Sequence, residues 1–490
     1  MAQYVLGIDQ STQGTKALLF DENGVLLCRS DLPHRQIIDE KGWVEHDPEE
    51  IYSNTVQVVK NLVEQAGIEK EEIAVLGISN QRETALVWDR ATGKPIYHAI
   101  VWQCARGAAI CEELQEHSVQ VRKATGLQLS PYFSAAKIAW VLRNVEGAAV
   151  RAEKGELCCG TIDSWLVYRL TGGKEFRTDY SNASRTQMFN IGTLQWDEEV
   201  CGLFGIPTCA LAEVTDSDGL YGWTDFDGYL PKPIPIRGVL GDSHGALFGQ
   251  GCHQSGMIKT TYGTGSSVMM NIGEKPVYSE KIVTSLAWGI SGKVNYVLEG
   301  NINYTGAVIT WLKDDLELIQ SPGETGELAE RANPKDTTYL VPAFSGLGAP
   351  HWDNDAKAAL MGMTRATRKP EIVKAALESI AYQITDVITA MKDEAGIDIS
   401  ELRVDGGPTR NRYLMQFQSD LTQIPVMVPN AEELSGIGAA YLAGIAQGLY
   451  DRTGIFENLE RRSYVPQMSG EERGIRYSGW KEAVKKVLTQ

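Results

Sequence analysis

Three turns and two strand ends carry residue types that act on phosphate and hydroxyl groups. The segment GIDQSTQGTK sets Asp9 at the end of an apolar strand. Small and hydroxylated residues follow, whose backbone N–H groups can point at an anion while the carboxylate holds a hydrated divalent cation. An ordinary hairpin with a polar turn has the same letters. The turn in TTYGTGSS repeats the setting with Gly263, Thr264, Gly265 and Ser266, and two such hairpins suit a nucleoside triphosphate gripped across a cleft. Neither follows GxxxxGK[ST] or GxGxxG. In LRVDGGPTRNRYLMQ a strand ends at Asp405, and Gly406 and Gly407 lead into a helix that starts near Asn411. The glycine pair lets a flat base or ribose approach the backbone, or simply makes a tight strand-to-helix turn.

In RGVLGDSHGALFG an apolar strand delivers Asp242 to a small-residue turn. A carboxylate there can take the proton of an attacking hydroxyl in phosphoryl transfer, and it can equally be a helix cap. His244 reads as a helix-start or packing residue. ISNQRETALVW places Arg82 beside Glu83 after another apolar strand. An adjacent cation and anion can bind several hydroxyls of one small polyol, or form a structural ion pair. IVWQCAR adds Trp102 and SPYFSAAKIAW adds Tyr132, rings able to line the apolar face of a polyol or to fill the core.

The elements that must position these groups read as short sheets alternating with helices. YVLGID, KALLFD and VLLCRS form successive hairpins, and MIKTTYG with SVMMNIG forms another in the second half. Apolar residues at helical spacing mark Pro48 to Gln65 and Lys369 to Ala395, the second with Pro370 in its first turn. The 490 residues thus divide into two α/β lobes, 1–250 and 251–490, with a ligand cleft between them. The balance of 46 Lys and Arg against 63 Asp and Glu, −17 overall without a basic block, argues against nucleic acid as a partner. Eight scattered cysteines without metal or redox spacing read as reduced thiols. With no secretory signal and no long apolar stretch, a cytoplasmic protein without a membrane partner is expected.

Taken in order along nearly the whole chain, GWVEHDPEE, GISNQRET, TGKPIYHAIVWQC, PYFSAAKIAW, TDYSNASRT, VPAFSGLGAPHWD, LESIAYQ and VDGGPTRN resemble the FGGY carbohydrate kinase family, and within it the branch that acts on glycerol. The resemblance implies the two-lobed α/β fold of actin, the Hsp70 ATPase domain and hexokinase (ribonuclease H-like) with a central cleft. It implies use of ATP and Mg2+, and phosphorylation of a terminal hydroxyl of a small polyol, glycerol foremost, to the 3-phosphate. By the same resemblance Asp242 is the catalytic base. Arg82, Glu83, Trp102, Tyr132, Asp242 and Ser243 surround the polyol, and Asp9 and Asp242 lie near magnesium. Thr12, Gln13, Lys16, Gly263, Thr264, Gly306, Gly407 and Asn411 meet the nucleotide. A homodimer or homotetramer is expected from the family alone.

The chain departs from that branch at several positions. Ser243 stands where glutamine is usual, which removes a hydroxyl contact and opens space for a longer polyol or a ketose such as erythritol, xylulose or ribulose. Lys16 stands in place of an arginine, Ser11 in place of a glycine, and Pro408 follows the glycine pair in place of an alanine. A different class with the same fold, a non-kinase ATPase that switches a binding surface, lacks a reason for the polyol cluster.

Overall fold

The computed structural model describes residues 3–489. Its first sheet has six strands in the order Trp223–Thr224, Ile234–Gly241, Ile73–Asn80, Tyr4–Gln10, Gly14–Phe20 and Leu26–Pro33. The strands Tyr4–Gln10, Ile73–Asn80 and Ile234–Gly241 are parallel, with Gln10 and Gly241 both in register with Asn80. Their carboxyl ends therefore lie side by side at one edge, the usual place for ligands in open α/β sheets. Asp9, the Arg82–Glu83 pair and Asp242 are the residues carried there.

The second sheet has seven strands in the order Val283–Ile290, Lys293–Ile302, Ser266–Gly273, Ile258–Tyr262, Leu402–Asp405, Val426–Pro429 and Arg461–Tyr464. It repeats the device. Ile258–Tyr262 and Leu402–Asp405 are parallel with Thr261 opposite Asp405, so the turn at Gly263 and Thr264 and the turn at Gly406 and Gly407 share one edge. A five-stranded sheet built on Ala85–Asp89 and Leu157–Thr161 extends the first half and carries Trp102, which follows its strand Ala99–Ile100.

The helices follow their local signals. Pro48–Ala66 starts at Asp47, whose carboxylate accepts from the Glu49 amide, and stops at Gly67 with φ of 64°. Its buried face, including Ile51, Val59 and Leu62, packs into the core of the first sheet. Lys369–Ala395 has Pro370 in its first turn and likewise ends on a left-handed glycine, Gly396.

The helix Leu434–Ala446 crosses from the second half to lie on the first sheet, where Leu434, Ile437, Ala440 and Tyr441 join Val5, Leu18, Phe20 and Leu240 in one core. It packs against the helix Asp242–Gly249 at glycine contacts: a Cβ on Gly438 would fall 1.9 Å from the Gly245 carbonyl oxygen, and one on Gly249 would fall 2.3 Å from that of Leu434. Only backbone against backbone fits at these distances. This contact fixes the height of the helix that begins at Asp242. Among the described residues no helix is long and apolar enough to cross a membrane.

Candidate active site

Glu83 occupies the bend where the chain leaves the first sheet, after Ile73–Asn80, and enters the five-stranded one at Ala85. Its φ of 59° lies in the left-handed region that a branched or long side chain rarely adopts. The bend is closed by the Thr84 amide donating to the Arg82 carbonyl at 2.7 Å. Residues held in such conformations cluster at functional sites, where the surrounding contacts hold them in place. Here the turn sets the Arg82 and Glu83 side chains into the interior together.

Both are nearly inaccessible, and both are paired. Arg82 donates from its two terminal nitrogens to the two oxygens of Glu299, at 2.9 and 2.8 Å. Glu83 accepts from Nε of Arg185 at 2.6 Å. The Arg185 Nη1 lies 3.1 Å from Glu299, close enough for attraction but off the line of a good hydrogen bond. Two cations and two anions thus balance. Against the cost of burial, Arg185 and Arg82 hold Glu299 well below the usual carboxylate range.

Asp242 is the accessible member of the cluster, with 36% of its side chain exposed against 5% or less for Arg82, Glu83, Glu299 and Arg185. Its Oδ1 accepts from the Ser243 amide at 2.6 Å and lies 3.3 Å from Arg82 Nε. Its Oδ2 has no partner among the described residues and is free to receive a proton. Gly241, just before it, leaves room for the stem of Arg82, since a Cβ there would come within 2.6 Å of Arg82 Cγ. The Gly241 amide donates to the Ser181 hydroxyl at 2.9 Å, and that hydroxyl donates to the buried Asp179. His244 is fully buried beside the cluster, and burial together with the nearby Arg82 pushes its pKa well below the ordinary value, so it packs there as a neutral ring.

Trp102 and Tyr132 close one side, with ring centroids 5.5 Å apart. The indole N–H donates to the Thr12 hydroxyl at 2.9 Å, which links this wall to the first turn. Burial, then the nearby Glu83, raises the Tyr132 phenol far above its usual range, so it remains a neutral donor. The ammonium of the buried Lys137 donates to the carbonyls of Pro131, Tyr132 and Phe133, fixing the turn that presents the ring.

Asp9 sits at the next strand end. Burial lifts its carboxyl to about 6; Lys16 opposes the rise, and Asp242 and Glu433 add to it. Its buried Oδ1 has no hydrogen-bond partner. An unpartnered buried carboxylate oxygen near further carboxylates is a position that a cation relieves. Lys16 is paired with Glu433 at 2.7 Å and Gln13 is exposed in the turn, where its carbonyl accepts from the His34 amide.

The second sheet's turns border a cavity of about 770 Å³ lined by Gly306, Thr310, Gly326, Gly407 and Asn411 among others. A neighbouring polar cavity of about 680 Å³ contains Lys16, Gly406 and Glu433 and shares Gly407 with the first. Gly263 and Thr264 form the adjoining turn, their carbonyls accepting from the amides of Gly306 and of Thr305 and Ala307. Asn411 spends its side chain on the fold: Oδ1 caps the next helix at Leu414 and Nδ2 donates to Thr325 at 3.0 Å. The residues read from the sequence therefore gather into one group around Asp242 and another around Gly407, with Asp9 and Thr12 at the first turn. Arg185 and Glu299 escaped the sequence reading. Arg185 lies within TDYSNASRT, and the signal for Glu299 is an acidic residue inside the apolar strand run YVLEG.

Strand-end turns on two large sheets, a partly exposed carboxylate on a charge-balanced cluster and a separate cavity of about 770 Å³ are the parts a small-molecule kinase needs. The chain belongs to the FGGY family of carbohydrate kinases: the family's N-terminal domain matches residues 4–249 and its C-terminal domain residues 258–447. It is 50% identical over 492 aligned positions to glycerol kinase 1 of Thermotoga maritima, covering 99% of this chain and 100% of that one. It is 47% identical to the glycerol kinase of Caldanaerobacter subterraneus, covering 100% and 99%. The crystal structure of Plasmodium falciparum glycerol kinase with ADP superposes with a TM-score of 0.94 at 35% identity, over 100% of this chain and 99% of that one. A xylulose kinase of Lactobacillus acidophilus shares the fold, with a TM-score of 0.88 at 21% identity.

Proposed function

We propose that the protein transfers the γ-phosphoryl group of ATP to a terminal hydroxyl of a small polyol, glycerol first. The observation that carries this reading is the free Oδ2 of Asp242 beside the Arg82–Glu83 bend, in a chain about half identical to glycerol kinases over its full length. Asp242 takes the hydroxyl proton as the oxygen attacks the γ-phosphorus in line, and ADP leaves. Arg82 and Glu83 bind the remaining hydroxyls, while Trp102 and Tyr132 cover the carbon chain. Thr12, Gln13, Lys16, Gly263, Thr264, Gly306, Gly407 and Asn411 form the nucleotide side.

Asp9 and Asp242 suit a magnesium ion, because Asp9 has the unpartnered buried oxygen and lies within electrostatic reach of Asp242. Among the described residues no three His, Cys, Asp or Glu side chains form a cage, so its other ligands would be water and phosphate. The ion would neutralise charge on the β- and γ-phosphates. The two halves, 1–250 and 251–490, act as lobes of one cleft in this reading.

A second reading keeps the chemistry and changes the acceptor. Ser243 is a short side chain with no side-chain hydrogen bond to the protein among the described residues, so the space beside Asp242 suits a longer polyol or a ketose. The deciding experiment is magnesium- and ATP-dependent ADP release with glycerol, erythritol, xylulose, ribulose and dihydroxyacetone, compared by kcat/KM. A lead for glycerol supports the first reading and a lead for a longer acceptor supports the second. ATP turnover unaffected by any of them would refute both.

A further inference from the structure

The polyol-binding cluster is assembled from the first half of the chain at every point but one. Arg82, Glu83, Arg185 and Asp242 all precede residue 250, whereas Glu299 comes from the strand Lys293–Ile302 of the second sheet. That strand is paired on both sides: Glu299 is in register with Met269 on one side and Val283 on the other, and is fully buried. A carboxylate in such a strand costs stability unless its charge is met. Both of its oxygens are met, and by the two arginines of the other half.

We infer that Glu299 is a positioning residue for the acceptor site, through which the second lobe sets the plane of the Arg82 guanidinium and keeps its terminal nitrogens off the free oxygen of Asp242. Each terminal nitrogen of Arg82 carries two N–H groups. The fork onto Glu299 uses one on each, and it fixes the directions of the two that remain for substrate hydroxyls. The competing anion is Asp242, only 3.3 Å from Arg82 Nε. Without the charge of Glu299, Arg82 turns toward Asp242 and covers the oxygen that must receive the proton. Arg185 is drawn by the same carboxylate and in turn holds Glu83, so one residue from the second sheet orders both hydroxyl-binding groups. Acceptor affinity is thereby tied to how the two sheets are seated against each other.

The inference rests on the polyol kinase reading, and the test separates them. The wild-type enzyme is first assayed against the acceptor panel; no acceptor-dependent turnover there refutes the functional reading and leaves no site for Glu299 to order. With the best acceptor, Glu299→Gln should raise the acceptor KM by roughly 10–100-fold and lower kcat, while the ATP KM stays within about twofold of wild type. Glu299→Gln combined with Arg185→Met restores the balance of buried charge, so it folds more readily, and it should keep the raised acceptor KM. A scaffold role lowers melting temperature and active fraction but leaves the acceptor KM of the folded enzyme unchanged. A wild-type acceptor KM in either variant, or failure of both to fold, overturns the inference.

Discussion

Replacing Asp242 by Asn changes one oxygen in a site that is otherwise held from outside it. Oδ1 is the atom committed to the protein, accepting from the Ser243 amide at 2.6 Å and facing Arg82 Nε at 3.3 Å. The amide oxygen of Asn can occupy the same place, because both neighbours are donors. The NH2 group then falls where Oδ2 was, so the substitution removes the oxygen proposed as the proton acceptor and keeps the shape. The rest of the cluster has no cause to rearrange, since Arg82 and Arg185 remain matched by Glu83 and Glu299.

Loss of a positioned general base costs about 10²–10⁴ in rate, or roughly 2.7–5.5 kcal/mol of transition-state stabilisation. The stability change should be under about 1 kcal/mol, as for a partly exposed ion pair. The assay is coupled ADP release at saturating acceptor, together with ADP affinity and thermal denaturation of the same preparation. The expected result is a kcat lowered at least a hundredfold with ADP affinity and melting temperature near wild type. A kcat within about tenfold of wild type would refute the assignment of the base, and a collapse of stability would refute the account of which oxygen is held.

Three further outcomes follow from other contacts. Ser181→Ala leaves the buried Gly241 amide without its acceptor, which should cost about 1–3 kcal/mol in denaturant unfolding and lower kcat with little change in ATP KM, because Gly241 precedes Asp242. Gly406→Ala places a Cβ 1.9 Å from the Tyr262 carbonyl oxygen at a φ of 98°, so it should weaken ADP binding measurably by calorimetry and lower the melting temperature. His46 is driven down to about 3 by burial and by its neighbour His34, against 6.5 when free, so the unfolded chain binds a proton between those values that the native chain refuses. Stability from this residue therefore rises with pH across that window and falls by about 2 kcal/mol from about pH 7 to pH 5. His46→Gln should flatten that fall in denaturation midpoints taken at the two pH values, and an unchanged slope would show that other groups set it.

Local chemistry determined much of this protein. Asp47 with Pro48, and Pro370 with Gly396, mark helix ends that need no distant partner, and the apolar spacing behind them defines the buried faces. The turns at Thr12, Gly263 and Gly407 are legible as turns because glycine and small hydroxylated residues between apolar strand runs favour them. Asp242, Arg82 and Glu83 are legible because polar residues directly after apolar strands in α/β sheets lie at one edge. The sequence alone could not say which charges would meet. Whether the Arg82–Glu83 pair is a surface ion pair or a buried site depends on Arg185 and Glu299, which are distant in the chain and reach it only when two sheets are packed together. The same holds for the helix Leu434–Ala446, whose small residues look like a plain apolar helix until Gly438 meets Gly245. Periodicity reports which face is buried, but the partner of that face is set by packing across hundreds of residues, and here that packing leaves Asp242 as the reachable carboxylate of its cluster.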